Sequence, residues 1–144
     1  MLDFDQIKHD IQLKTYNLNT VNLKKKDDKI ESYQSPYKIS PDQMDFRFYP
    51  MKSEDEENEI PIIVRFKINN DDLKLMLEYK AVFENNRPTN EQPSNNLLAA
   101  LVFFTMHESI KKVSKNIIED VVNTRVELPI FDQRKLARVN GGKN

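Results

Sequence analysis

Between Met44 and Glu84 large apolar side chains recur at every second position in three consecutive runs, a period that only a sheet with one dry and one wet face satisfies. Met44, Phe46 and Phe48 alternate with Asp45, Arg47 and Tyr49, and Ile62, Val64, Phe66 and Ile68 alternate with Ile63, Arg65, Lys67 and Asn69. Leu73, Leu75, Leu77, Tyr79, Ala81 and Phe83 then alternate with Lys74, Met76, Glu78, Lys80, Val82 and Glu84. Asn69-Asn70-Asp71-Asp72, between the last two runs, is a tight-turn sequence, since Asn and Asp tolerate positive φ and bond to their own backbone. The middle of the chain is therefore predicted to be an antiparallel meander.

Upstream, Asp3 can cap a short helix carrying Phe4, Ile7 and Ile11, although Ile7, His9, Ile11 and Leu13 also alternate as a strand would. From Ile11 to Leu23 the content favours strand. Its apolar phase slips from Ile11 and Leu13 to Tyr16 and Leu18, then back to Val21 and Leu23, which suggests a bulge or strong bend. Residues 24–40 form a long polar connection, unusually aromatic for a loop. Lys24-Lys25-Lys26 at its start is offset by Asp27-Asp28, and together they read as the beginning of a solvated loop. The acidic run Ser53 to Glu59 reads the same way.

Downstream of an Asn- and Pro-rich break, Ser94, Asn95 or Asn96 can cap a helix running to about Asn123. At 1.5 Å per residue it is ~40 Å long, more than a sheet of this size needs for cover. Ile110, Val113, Ile117 and Val121 form one stripe in its second half, whereas Leu97, Leu98, Leu101, Val102, Phe103, Phe104 and Met106 point all round the cylinder. Such a helix is buried on all sides, so a second subunit is expected to cover Leu101, Val102, Phe104 and Met106, giving at least a dimer, with a dimer of dimers the favoured expectation. Arg125 to Phe131 is extended, and Asp132 is expected to cap a short terminal helix over Gln133–Val139.

Composition removes most enzyme classes. There is no cysteine, and the two glycines, Gly141 and Gly142, are adjacent near the end, so thiolate chemistry, Cys/His zinc sites and Gly-rich phosphate loops are excluded. His107 precedes Glu108 in the long helix, where neighbouring positions point about 100° apart, so the two are not expected to share a ligand or proton. His9 likewise reads as an ordinary surface or interface residue. No catalytic residue, metal or cofactor is expected, and the chain is predicted not to be an enzyme. The net charge of −1 disfavours nucleic-acid binding. The start of the chain has no uninterrupted apolar stretch of signal-peptide type, and Leu97 to Met106, the longest dense apolar run, is about half a membrane span. A cytoplasmic location away from the membrane is expected. What remains is apolar binding surface: Tyr33 and Tyr37 in the long connection, with the helix start, suit a groove for extended polypeptide, or else the tyrosines simply close the core edge.

The order of elements, with Ile11-Gln12-Leu13-Lys14-Thr15-Tyr16, Met44-Asp45-Phe46-Arg47-Phe48 and Leu128-Pro129-Ile130-Phe131-Asp132, resembles the SecB family of tetrameric export chaperones over roughly residues 10–138. The last stretch is similar to the family's Leu-x-Pro-x-x-Phe-Asp, shortened between Pro and Phe. The family's Gly-Gly-x-Phe stands here as Lys80-Ala81-Val82-Phe83, keeping only Phe83, and the cysteines and Phe-Pro-Tyr of the family helix are missing. The resemblance implies one α+β domain, a four-stranded antiparallel sheet packed by one long helix with a short C-terminal helix. Residues 1–10 would be an N-terminal extension, 24–40 a crossover connection and 139–144 a flexible tail. It further implies a homotetrameric, ATP-independent holdase of the cytoplasm for unfolded or aggregation-prone polypeptide, with Ile30, Tyr33, Tyr37, Phe83, Leu97 and Leu98 as client contacts. Family members act in protein transport, and relatives serve toxin–antitoxin pairs, which makes a dedicated client the favoured expectation. The alternative is a non-chaperone interaction or assembly subunit that reuses the fold for one folded partner. Family members dock the secretion motor ATPase on an acidic outer sheet face; Arg47, Arg65, Lys67, Lys74 and Lys80 are expected there beside Asp45 and Glu78, so that docking is disfavoured.

Overall fold

The computed structural model describes residues 8, 10–26, 35–51, 58–86 and 94–131, and the backbone of 137–139. In it the three alternating runs form β3 (Met44–Pro50), β4 (Glu59–Asn69) and β5 (Leu73–Asn85), paired antiparallel with Phe46 opposite Phe66 and Phe66 opposite Leu77. The even positions of β3 up to Phe48, the even positions of β4 and the odd positions of β5 are buried, as the alternation requires. The β4–β5 turn is held by the Asn70 side chain, whose Oδ1 accepts from the backbone N–H groups of Asp72 and Leu73, each at 2.9 Å. The turn does this without positive φ, which among described non-glycine residues occurs only at Asn123.

β1 (Ile11–Lys25) pairs antiparallel with the other edge of β5, with register shifts between Leu13 and Thr15 and between Leu18 and Thr20. The bulged residues, Lys14 and Asn19, sit where the apolar phase of the sequence slips. As a result Leu13, Tyr16, Leu18, Val21 and Leu23 all stand opposite inner-face residues of β5, namely Phe83, Ala81, Tyr79, Leu77 and Leu75. β1 also extends through Lys24 and Lys25, opposite Lys74 and Leu73, so the first residues expected in the polar connection belong to the sheet. The helix expected near Asp3 lies almost wholly outside the described residues. So do residues 27–34 of the connection; its later part supplies β2 (Tyr37–Lys38), parallel to β6 (Val126–Glu127).

The long helix, α1, spans Asn95–Val122. Ser94 caps it, its Oγ accepting from the Leu97 N–H at 3.2 Å, and Asn123 ends it in the left-handed conformation (φ 53°), donating its N–H to the Glu119 carbonyl. Replacing Ser94 with Ala is expected to lower stability by about 1 kcal/mol in denaturant titration, because one orphan N–H loses its partner. Leu98, Val102, Met106, Ile110, Ser114, Ile118 and Val122 form a buried stripe at four-residue spacing. Phe103 of the helix meets Phe46 edge-on at 5.3 Å, and Phe131 folds back so that its ring lies 6.0 Å from Phe46 and 5.3 Å from Phe66. This aromatic cluster ties the sheet, the helix and the segment after the helix together.

The expected C-terminal helix is corrected at its end. Ala137–Val139 is a strand, β7, parallel to Phe46–Phe48 of β3, so the sheet order is β1-β5-β4-β3-β7. The edge of β3 otherwise presents unpaired backbone donors and acceptors, and pairing them outweighs the weak helix signal from Asp132, which lies outside the described residues. The core prediction stands: four antiparallel strands packed by one long helix.

Candidate functional site

The inner face is dry on β5 and wet along the middle of β1. Leu77, Tyr79 and Ala81 are at most 2% exposed, whereas Tyr16, Leu18 and Val21, directly opposite them, are 42%, 39% and 48% exposed. Among the described residues β1 is also an edge strand, bonded to β5 on one side only. The helix reaches over it where the Tyr16 hydroxyl and Ser109 Oγ share a hydrogen bond of 3.2 Å. Two unmet demands thus coincide on one element: a strip of large apolar side chains and a row of backbone groups facing away from β5. An added polypeptide segment can satisfy both, by covering the strip and by pairing along the edge.

Beneath the strip lies Tyr79, whose hydroxyl is buried with no hydrogen-bond partner among the described residues. Burial, with Tyr16 close by, pushes this phenol up from its ordinary 10 to about 12. An unmet buried hydroxyl costs about 1–3 kcal/mol, so Tyr79→Phe is expected to keep or raise stability where truncating a core tyrosine would lower it. The pH dependence follows from the raised value. The contribution of Tyr79 is complete below pH 10 and is lost as pH rises through about 12, so the Phe variant should lose less stability over that window than the parent in urea titrations.

The residues expected from sequence to contact clients are not gathered in one place. Ile30 and Tyr33 lie outside the described residues. Tyr37 is 8% exposed, and its hydroxyl donates to Asp72 Oδ2 (2.7 Å) while accepting from Asn70 Nδ2 (3.0 Å), which clamps the β4–β5 turn. Phe83 and Leu98 are buried and Leu97 is half-buried. Of the expected interface residues, Leu101, Val102 and Met106 are buried within the single chain, so they need no second subunit to be dry, while Phe104 is 58% exposed. The strip of Tyr16, Leu18 and Val21 escaped notice as a site because its slipped alternation marks the inner face without showing where the cover stops.

On the outer face, the strand phase places Asp45, Arg47, Arg65, Lys67, Lys74, Glu78 and Lys80 outward as expected. Arg47 pairs with Asp45 (2.8 Å), and Arg65 pairs with Glu78 (2.6 Å) and lies over the Tyr49 ring. These carboxylate hydrogen bonds hold both guanidinium pKa values above the ordinary arginine value. Lys14 of β1 pairs with Glu59, the last member of the acidic run, whose residues 53–57 are outside the described part.

His9 is also outside it. His107 stacks on Phe103 with rings 5.2 Å apart and donates Nδ1–H to the Phe103 carbonyl at 2.9 Å. Its Nε2 nevertheless approaches Glu108 Oε1 to 3.4 Å, so the expectation that adjacent helical positions stay apart is corrected: the length of the two side chains closes the gap. Glu108 is largely exposed, and the contact is a surface one. Among the described residues, no group of three or more His, Cys, Asp or Glu side chains could hold a metal ion, and no helix is long and apolar enough to cross a membrane.

No family model matches the sequence, and no curated protein matches it. Solved structures do. The chain is similar to the SecB-like chaperone of Mycobacterium tuberculosis, solved in complex with a ChAD peptide from the HigA1 antitoxin, with a TM-score of 0.57 at 13% identity over 89% of this chain and 92% of that one. A protein of unknown function from Streptococcus agalactiae matches with a TM-score of 0.53, also at 13% identity, over 84% of this chain and 97% of the other. The fold is therefore SecB-like, as the resemblance in sequence implied.

Proposed function

We propose that the chain is an ATP-independent, polypeptide-binding chaperone, and that the inner-face strip and outer edge of β1 are its principal contact surface. The observation that carries this reading is the exposure of Tyr16, Leu18 and Val21 directly opposite β5 residues that are at most 2% exposed. A tyrosine such as Tyr16 is a common hot spot in recognition, Leu18 and Val21 add apolar area to bury, and an unpaired strand edge supplies the register. The fold likeness to a chaperone that holds an antitoxin peptide supports a protein partner, and a dedicated client of that sort is the favoured one. Of the residues expected from sequence, Leu97 and Phe104 stay accessible and remain proposed contacts, the latter in self-association. Tyr37, Phe83 and Leu98 give way to the β1 strip.

Dilution of a chemically denatured, unrelated protein into buffer containing this chain, without nucleotide, tests the reading by light scattering. Suppressed aggregation at near-stoichiometric amounts is expected. A chain that ignores unfolded protein would instead favour the second reading, a subunit that reuses the fold for one folded partner, for which the small size of the strip, three side chains on one strand, argues. Self-association is proposed in either case, since a second copy satisfies the strip and the edge of β1 at once. A solution mass above 17.0 kDa is its signature. Docking of a secretion motor ATPase through an acidic outer sheet is not part of the proposal, because the outer lysines would repel a basic partner.

A further inference from the structure

The outer face of the sheet carries a feature that polypeptide holding through β1 does not use. Lys24 stands directly opposite Lys74 in the β1–β5 register, and Lys67 of β4 is diagonal to Lys74, facing Met76. With Asn22 and Met76 these three lysines line a groove of about 270 Å³. Like charges placed opposite one another on a sheet destabilise it, and here none of the three has an ion-pair partner among the described residues. The neighbouring arginine is already neutralised by Glu78. A fourth cation is fixed at the same corner, where Lys26 Nζ donates to Asn69 Oδ1 at 2.6 Å and to the Asn70 carbonyl at 2.8 Å. In the adjoining turn, the Asp72 carboxylate accepts from the Tyr37 hydroxyl. The Lys24-Lys25-Lys26 run, read from sequence as a solvated loop start, thus becomes part of a built cationic corner.

We propose that this groove binds an acidic polypeptide segment, its carboxylates meeting Lys24, Lys67 and Lys74 and an apolar side chain resting on Met76. A polynucleotide fits less well, because no aromatic side chain lines the groove to stack a base. The site lies on the face opposite the β1 strip, so its existence is independent of the chaperone reading.

Fluorescence anisotropy with a labelled peptide of alternating glutamate and leucine is the direct test. Saturable binding is expected, weakening as salt rises and falling roughly tenfold in a Lys24→Gln, Lys67→Gln, Lys74→Gln variant. That variant should melt no lower than the parent, since removing facing like charges relieves repulsion; if it does melt early, Lys24→Gln with Lys74→Gln alone carries the same comparison. A control with Lys38, Lys112 and Lys115 changed to Gln should keep full affinity. The proposal is overturned if the peptide does not bind, if the control weakens it as much as the groove variant, or if oligothymidylate of equal charge binds more tightly.

Discussion

Replacing Leu18 and Val21 together with aspartate is expected to abolish both self-association and the suppression of client aggregation while the chain stays folded. The two side chains are 39% and 48% exposed, so the fold loses only part of their burial, about 1 kcal/mol each. A partner covering the strip would have to bury two unpaired carboxylates, which costs more than ~3 kcal/mol, or roughly two orders of magnitude in affinity. Light scattering reads the mass, and the denatured-protein assay reads the activity. Asn17→Asp with Thr20→Asp, on the outer face of the same strand opposite Lys80 and Glu78, should leave both unchanged. Loss in that control variant would point to the charge of the strand and not to its inner face.

Phe46→Ala is expected to cost the fold about 3–5 kcal/mol in equilibrium denaturation, the range for emptying a large aromatic site that cannot collapse. Phe46 is fully buried and meets Phe48, Phe66, Phe103 and Phe131, so its loss loosens helix and sheet and frees the segment around Phe131. Ile130, next to Phe131 but 86% exposed, provides the contrast: Ile130→Ala should change stability by less than ~0.5 kcal/mol.

The meander was legible because a two-residue period has one physical solution when one face must be dry, and Phe46, Phe66 and Leu77 fell on the expected face. The helix was legible from its ends: Ser94 bonds the Leu97 N–H, and Asn123 adopts the left-handed turn. Even the slips in β1 were informative, since each apolar phase change marks one bulged residue. What local pattern could not convey was the extent of cover. Leu101, Val102 and Met106 look over-exposed on an isolated cylinder, yet the folded chain closes over them, and Tyr16, Leu18 and Val21 look like ordinary inner-face residues but stay wet. Both depend on tertiary contacts such as those of Phe131 and Ser109, which sequence spacing does not contain. The strand at Ala137–Val139 was missed for the same reason, because its pairing partner is the distant edge of β3.

Hydrogen–deuterium exchange of the chain, alone and with a saturating unfolded polypeptide, shows whether polypeptide binds along β1. The outer-edge amides of β1, from Tyr16 to Leu23, are bonded to no strand among the described residues on that side, whereas those of β4 are enclosed by two neighbours. Bound polypeptide is expected to slow exchange along this stretch of β1 and to leave β4 unchanged. Protection confined to other segments, with β1 exchanging as fast as in the free chain, would contradict it.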